Sequence, residues 1–402
     1  MSDCVRVTAC RLCDGPLDLI VSFTPTPLGD QYVTAQRPQT RYPLDLMACR
    51  SCGAVQLADT VDPADIYTDY IYTTSISPGL EQHYNTYAES VLARLKPPSD
   101  SLVVDIGSND GTLLRAFQRH GCRVQGVDPA AAIAEKATAE GIETWTGYFT
   151  PQIACAIGMA RGHADIITAN HIMANVPDLH DFIEGVKLLL APDGTFVFET
   201  GYWPSIMQKR LIDTIEHEHI HYFDEHSLAI LFLRHDLDLV DCELQPTKGG
   251  SLRGCVRHRS VWKEKPCNII PILLGDEWFS QDEYSKRRTQ WANDIEALRS
   301  EIALFVTHKP KAERWVGYGA AVGSTLLCHH FGFGSVLTEL WDDNASRHGR
   351  YSPGFHLPVV APNSSQPDKI VLLAWRYADR IMAQHPEHAG KWIIPLPDLR
   401  FA

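Results

Sequence analysis

A cluster of acids and histidines lies near the middle of the chain. Residues 213–221 read Asp-Thr-Ile-Glu-His-Glu-His-Ile-His, with two carboxylates and three imidazoles between Glu216 and His221. Imidazole titrates near neutral pH, and a neighbouring carboxylate can orient it and raise its basicity. The segment therefore predicts a general base. A metal site on His217, His219 and His221, or an incidental polar loop, are the alternatives.

A glycine turn follows a predicted strand in Val103-Val104-Asp105-Ile106-Gly107-Ser108-Asn109-Asp110-Gly111-Thr112. The spacing is not that of a dinucleotide fingerprint, and its acids would repel a pyrophosphate. The same acids suit S-adenosylmethionine, whose sulfonium and ammonium are cationic. Asp128, at the end of the next strand, can accept both ribose hydroxyls. The alternative is a glycine turn in some other α/β domain.

Two cysteine pairs, Cys10-Arg11-Leu12-Cys13 and Cys49-Arg50-Ser51-Cys52, supply four thiolates in two knuckles. This donor set suits tetrahedral zinc with no open position, so we predict a structural ion, about one per chain. Four free thiols are the alternative. Redox activity is disfavoured because neither pair opens a helix after a strand.

Two further polar features lie at predicted strand ends. Asn170 and His171 follow the fourth strand of the middle region, where such folds line a ligand crevice, and a role as crevice wall is equally open for His171. The turn Gly317-Tyr-Gly-Ala-Ala-Val-Gly323 has glycine spacing too loose for a nicotinamide site. We expect this C-terminal domain to form an ordered wall that helps hold the diphosphate end of a substrate. Binding of a nucleotide portion, with Asp342 and Asp343 at the end of the next strand, is the alternative.

Strands and helices alternate around these residues, which predicts an α/β protein with parallel sheets. Expected strands cover 101–106, 123–127, 164–169 and 195–200, and a long amphipathic helix carries Tyr284, Trp291 and Phe305 on one face. Asp224 is placed to cap the helix after the histidines. We predict three domains, at 1–74 for zinc, 75–258 for the methyl donor and 259–402 for a second Rossmann-like unit.

Composition limits the partners. The 402 residues carry 36 Lys plus Arg against 49 Asp plus Glu, a net charge of −13, which disfavours nucleic acid and anionic membranes. No run approaches a spanning helix, and the N-terminus is unlike a signal peptide. We expect a soluble, cytoplasmic protein that is a monomer or a weak homo-oligomer.

These motifs resemble a known family, the zinc-containing, three-domain S-adenosylmethionine-dependent C-methyltransferases of nucleotide-linked 4-keto deoxysugars. The similarity runs over essentially the whole chain. It rests on the cysteine pairs, the glycine turn and the acid-histidine run, together with Tyr70-Ile-Tyr72-Thr-Thr-Ser75-Ile-Ser77, Gly249-Gly-Ser-Leu-Arg253, Gly317-Tyr-Gly-Ala320 and Gly349-Arg-Tyr-Ser-Pro-Gly354.

The resemblance implies roles for individual residues. His219 would be the base that removes a proton from C3, beside Glu218 and Glu216, and Tyr72 would stabilise the enolate oxygen. The remaining residues fall into two sets. The cofactor set is Asp105, Gly107, Asn109, Asp110, Gly111, Thr112, Leu113, Asp128, Asn170 and His171. The substrate set is Asn175, Lys248, Ser251, Arg253 and Tyr318.

Departures from the family pattern lie on the substrate side. Glu216 stands where many relatives have a tyrosine, and Asn175 and Lys248 stand where they have histidines. A carboxylate replaces a hydrogen-bond donor with an acceptor, so we expect the substrate to present a different group there. The same scaffold acting on a non-sugar ketone or a heteroatom, or binding the cofactor without turnover, remains an alternative.

Overall fold

The computed structural model describes residues 4–67, 79–259 and 281–402. Within these ranges the chain forms four β-sheets, which build an N-terminal unit and two larger α/β units. None of the helices in the described residues is long and apolar enough to cross a bilayer.

The N-terminal unit consists of two small sheets and a short helix. Strands β1 and β5 pair antiparallel, and a second sheet has the order β11-β4-β3-β2. Its fourth member, β11, comes from far along the chain and begins two residues after His219. The elements are β1 (Cys4–Arg6), β2 (Leu17–Thr26), β3 (Tyr42–Cys49), β4 (Val55–Leu57), β5 (Asp59–Val61), helix α1 (Pro63–Tyr67) and β11 (His221–Tyr222).

The middle unit is a seven-stranded sheet of order β12-β13-β10-β9-β6-β7-β8. Strands β10, β9, β6, β7 and β8 are parallel, and β13 and β12 continue antiparallel. Its strands are β6 (Leu102–Ile106), β7 (Arg123–Asp128), β8 (Thr144–Thr146), β9 (Ala164–Asn170), β10 (Leu190–Gly201), β12 (Leu237–Gln245) and β13 (Ser251–His258). Its helices are α2 (Leu80–Leu95), α3 (Thr112–Arg119), α4 (Ala131–Ala139), α5 (Pro151–Arg161), α6 (Leu179–Leu189), α7 (Trp203–Lys209) and α8 (Glu225–Leu233).

The chain runs from β6 outward to β7 and β8, then returns to β9 on the other side of β6. Such a reversal opens a crevice at the carboxyl ends of the two central strands. The glycine turn follows β6, and Asn170 ends β9, so both border this crevice.

The C-terminal unit is a second α/β sheet of order β16-β15-β14-β17-β18-β19, parallel except for β19. Its strands are β14 (Trp315–Tyr318), β15 (Leu337–Trp341), β16 (Val359–Val360), β17 (Lys369–Leu372), β18 (Trp392–Ile394) and β19 (Arg400–Phe401). Its helices are α9 (Gln281–Thr307), α10 (Val322–His330) and α11 (Ala378–Gln384).

The units share hydrophobic cores rather than sitting apart. One core joins the C-terminal unit, helix α7 and the four-stranded sheet β11-β4-β3-β2, which we call the zinc-side sheet. It includes Trp203 and Trp291, whose ring centroids lie 5.1 Å apart. A second core packs Cys10, Leu12, Cys49 and Cys52 against the seven-stranded sheet. The predicted boundary at 74 lies outside the described residues, and the one at 258 falls at the end of β13.

Candidate functional site

The four paired cysteines meet at one point. Their sulfurs all lie within 4.8 Å of one another, with 3.6 Å between Cys10 and Cys52 and 3.4 Å between Cys13 and Cys49. Backbone N–H groups point at two of them, including Ser51 N–H at 3.3 Å from the Cys49 sulfur. The hydrogen bond from Cys52 lowers the pKa of Cys10 to about 5. Four thiolates this close repel unless a cation sits between them, and the donor set fits tetrahedral zinc.

Backbone geometry brings the glycine turn close to its neighbours. Gly107 has φ 73°, and a Cβ there would lie 2.3 Å from the Ile172 side chain, so only glycine fits. Asn109 has φ 49°, and its N–H donates to the Asp128 carboxylate at 2.9 Å. This bond ties the turn after β6 to the end of β7.

The crevice acids are buried and differ in their partners. Asp105 accepts from the Thr168 hydroxyl at 2.6 Å, and burial raises the pKa of Asp105 to about 7. Burial also raises the pKa of Asp128 above its usual value. Asp110 accepts from the Thr112 N–H and hydroxyl at the start of α3, whose N-cap residue is Gly111 and whose first turn also contains the buried Leu113. A bound cation would favour the ionised forms of Asp105 and Asp128.

Asn170 lies on the opposite side of the crevice with its amide unsatisfied. Both Nδ2 and Oδ1 are buried and have no hydrogen-bond partner in the described structure. Such a group in a native fold calls for a ligand or water. The next residue, His171, has φ 58°, and its N–H donates to the Glu199 carbonyl at 2.6 Å. These features fit a cofactor with polar groups at this point.

His219 has a defined tautomer. Its Nδ1 lies 2.9 Å from the Thr214 carbonyl, and a carbonyl can only accept, so Nδ1 carries the proton. The neutral ring then presents Nε2 as an acceptor, and no described residue hydrogen-bonds to it. Burial lowers the pKa of His219 to about 4, with Lys248 and Arg376 adding to the effect. The ring is therefore unprotonated at neutral pH.

The other two histidines of the run hydrogen-bond to backbone carbonyls. His217 donates from Nε2 to the Pro43 carbonyl at 3.2 Å, and His221 donates from Nε2 to the Val176 carbonyl at 3.1 Å. Each imidazole of the run thus points to a different carbonyl. Across the described ranges, the four cysteines are the sole group of three or more candidate metal ligands.

Charged groups surround His219. Glu216 Oε1 lies 3.4 Å from Nδ1, and burial raises the pKa of Glu216 well above its usual value. Glu218 lines a neighbouring cavity of about 490 Å³ with Asp30 and Arg347, and burial raises its pKa to about 7. Sequence reasoning placed Glu218 next to His219 because it is adjacent in the chain. In space Glu216 is the carboxylate beside the ring.

Lys248 lies in the loop after β12 and interacts electrostatically with His219, Glu216 and Glu218. We call the region around these four side chains the cleft. Lys248 keeps solvent-accessible surface, but the surrounding protein lowers the pKa of its amine, while Glu216 and Glu199 act in the opposite direction. No hydrogen bond or ion pair involves its amine in the parts of the chain that the structure describes. A cation without a fixed partner is thus available to a substrate.

Glu199 is a residue that sequence reasoning missed. It lies in β10 near its carboxyl end, 2% exposed, with Arg253 Nη2 at 3.0 Å and His171 Nε2 at 3.6 Å. Burial alone would raise its pKa, but contacts with His171 and His83 outweigh this and hold the pKa below its usual value. The available signal was its position one strand beyond Asn170 at the carboxyl edge of a parallel sheet.

The other predicted substrate residues have partners within the protein. Ser251 donates to the Thr247 carbonyl at 3.0 Å, and Arg253 pairs with Glu199. Tyr318 contacts Asp343 and His385 in the C-terminal unit. Asn175 follows Ala174, whose carbonyl accepts from Ile220 N–H, so Asn175 lies near the His219 segment. Tyr72 lies outside the described residues.

Comparison with known proteins identifies the whole chain. Three family models match in order: "Putative zinc binding domain" at 10–67, "Methyltransferase domain" at 80–241 and "C-methyltransferase C-terminal domain" at 246–397. The C-methyltransferase NovU of Streptomyces niveus is 31% identical over 100% of this chain and 98% of its own length. The chain belongs to this C-methyltransferase family. It is an S-adenosylmethionine-dependent methyltransferase with a zinc-binding N-terminal domain.

Other relatives match only the middle of the chain. A ubiquinone biosynthesis O-methyltransferase of Actinobacillus pleuropneumoniae is 26% identical over 42% of this chain and 78% of its own length. The solved structure of PH0226 from Pyrococcus horikoshii is 12% identical, covers 48% of this chain and 98% of that one, and has a TM-score of 0.38, too low to carry weight. The family assignment therefore rests on the full-length relative.

Proposed function

We propose that this C-methyltransferase methylates the carbon next to the ketone of a nucleotide-linked 4-keto deoxysugar, with His219 as the base. The observation that carries the proposal is the His219 ring, whose Nδ1–H is held by Thr214 while Nε2 has no partner in the described structure. Its lowered pKa keeps it unprotonated at neutral pH. The sugar itself is supported by the resemblance of the motifs over the whole chain.

His219 Nε2 would accept the proton from the carbon alpha to the ketone. The electron pair of the broken C–H bond becomes the enolate, with its charge on the former carbonyl oxygen. When bound, S-adenosylmethionine would supply the methyl group to the enolate carbon, and S-adenosylhomocysteine would be the leaving product. The imidazolium then releases its proton to solvent and the base is restored.

The charged residues of the cleft would balance this transfer. Glu216, beside Nδ1, can offset the imidazolium charge, because a nearby cation favours the ionised carboxylate. The Lys248 ammonium can stabilise the enolate oxygen, a role that Tyr72 would share. Because Glu216 replaces the family tyrosine, we infer that the sugar carries a hydrogen-bond donor at this position.

The crevice residues would hold the methyl donor. Asp128 could accept the ribose hydroxyls, Asp105 could balance the positive charge of the donor, and the unsatisfied amide of Asn170 could bind the amino acid part. Gly107 allows the backbone to approach closely. These contacts would orient the methyl donor, whereas proton removal would take place at His219.

The test is incubation with methyl-labelled S-adenosylmethionine and a set of nucleotide-linked 4-keto-6-deoxyhexoses, followed by location of the label by NMR. We expect label on the carbon beside the ketone. Label on oxygen or nitrogen would replace the proposal with heteroatom methylation. Tight binding of S-adenosylhomocysteine without product from a broad ketone set would indicate a protein that binds the cofactor without turnover.

A further inference from the structure

The two zinc knuckles carry an arginine at the same position, but the two side chains do different things. In Cys49-Arg50-Ser51-Cys52, Arg50 is 65% exposed and pairs with Asp18 at the surface. In Cys10-Arg11-Leu12-Cys13, Arg11 turns inward. Its Nη1 donates to the Leu57 carbonyl at 2.6 Å and its Nη2 to the Thr60 hydroxyl at 2.5 Å.

Arg11 thereby fastens the first knuckle to strand β4. Its backbone N–H adds a third bond, to Gln56 Oε1 at 2.9 Å. Gln56 is fully buried, and a bidentate guanidinium fixes both distance and orientation. The Thr60 hydroxyl belongs to β5, whereas Leu57 and Gln56 lie in β4, which is only three residues long. Strand β4 therefore depends on its neighbours for its position.

Strand β4 in turn holds the residues that follow the base. His221 pairs with Gln56 and Tyr222 with Val55 in antiparallel register, and Leu57 N–H donates to the Ile220 carbonyl at 3.0 Å. Ile220 is covalently next to His219. A two-residue strand such as β11 has little stability of its own, so its pairing with β4 helps to set where this segment lies.

We propose that Arg11 is a positioning residue for catalysis, which transmits the fixed geometry of the zinc knuckle through β4 to His219. The inference rests on the proposed role of His219 as base. It assigns the zinc domain a function beyond folding, namely the support of the base segment. Arg11 would act through its contacts to Leu57, Thr60 and Gln56. It is not itself a zinc ligand, so its substitution leaves the four cysteines in place.

The test compares R11Q with R11K and with R50Q, the matched variant in the second knuckle. The readouts are zinc per chain by elemental analysis, amide hydrogen exchange of peptides covering 54–60 and 217–222, affinity for S-adenosylhomocysteine, and kcat and KM on a nucleotide-linked 4-keto-6-deoxyhexose. Because exchange needs no substrate, it is informative even if that sugar is not turned over.

We expect R11Q to keep its zinc and its cofactor affinity within twofold, while both peptides exchange faster and kcat falls by about 10- to 100-fold with little change in KM. R11K should be intermediate, since one ammonium cannot span both acceptors, and R50Q should match the wild type. Unchanged exchange in R11Q, or faster exchange with full kcat, would overturn the inference. Zinc loss from R11Q and R11K would overturn it too, by assigning Arg11 to metal retention. If the wild type is inactive on the sugar, the proposed function fails and exchange alone decides the role of Arg11.

Discussion

At the scale of single residues, the sequence identifies the base candidate but not its surroundings. His219 stands out because acids and histidines are concentrated around it. Its hydrogen-bond partner, the Thr214 carbonyl, is a backbone group. Every residue has such a carbonyl, so residue types do not predict which one accepts the hydrogen bond of a histidine ring. Similarly, the order along the chain favours Glu218 as its companion, whereas the turn at 214–219 brings Glu216 to 3.4 Å from Nδ1.

The pH profile of kcat/KM tests the protonation state of His219. A base must be unprotonated, and burial lowers the pKa of His219 to about 4, so activity that depends on this ring should fall only as the pH approaches 4. Glu218, with a pKa raised to about 7, and Glu216 also face the cleft and can add inflections. Asp105, with a pKa raised to about 7, is held ionised once the cationic methyl donor is bound, so the profile is measured at saturating S-adenosylmethionine. In the double variant E216Q/E218Q we therefore expect a level profile between pH 6 and 8. An inflection near 6.5 in that variant would show an ordinary, solvated imidazole.

Asn170 gives a second prediction at this scale. Replacing it with the similarly sized leucine removes a buried amide without partners, so the free protein should be as stable as the wild type or more so. Cofactor binding should suffer, because the amide no longer meets a polar group. We expect S-adenosylhomocysteine to bind roughly tenfold or more weakly by calorimetry, with an unchanged or higher melting temperature. Unaltered affinity would remove Asn170 from the cofactor site.

At the scale of elements, periodicity predicts the longer strands and helices, but it does not predict very short strands whose partners are distant in sequence. The strands expected at 101–106, 123–127 and 164–169 are confirmed as β6, β7 and β9, and Asp224 caps α8 through Ser227 as expected. Strand β11 has two residues, too few for a pattern, and its partner β4 lies more than 160 positions earlier. Sequence reasoning therefore could not place the base segment on the zinc-side sheet.

The long helix α9 offers a test of how an element is anchored. Tyr284, buried as its helical spacing predicts, donates to Asp224 at 2.6 Å and so joins α9 to the cap of α8. Tyr284→Phe removes a hydrogen bond to a buried carboxylate. We expect the stability to fall by about 1–2 kcal/mol, seen as a lower urea midpoint.

Tyr377→Phe is the matched control, since Tyr377 is 64% exposed, and its midpoint should not move. Equal midpoints for Y284F and the wild type would show that packing alone anchors α9.

At the scale of the whole molecule, the base segment is held by all three units at once. His217 bonds to the zinc-side sheet at Pro43, Ile220 to the middle unit at Ala174, and Asp213 to Arg376 of the C-terminal unit at 2.7 Å. Composition and motif order indicate three units, but the contacts between them depend on how their surfaces meet. Because the base segment contacts all three units, a relative that aligns with the whole chain is more informative than one that aligns with the middle unit alone.

The central claim is that His219 Nε2 removes the proton, and substrate proton exchange in D2O tests it most directly. With S-adenosylhomocysteine bound, so that no methyl group is transferred, the wild type should exchange the proton beside the ketone of its nucleotide-linked sugar. His219→Asn keeps an N–H for Thr214 but lacks Nε2, so it should exchange at least about 100-fold more slowly while binding S-adenosylhomocysteine normally. Exchange at the wild-type rate in His219→Asn would contradict the account.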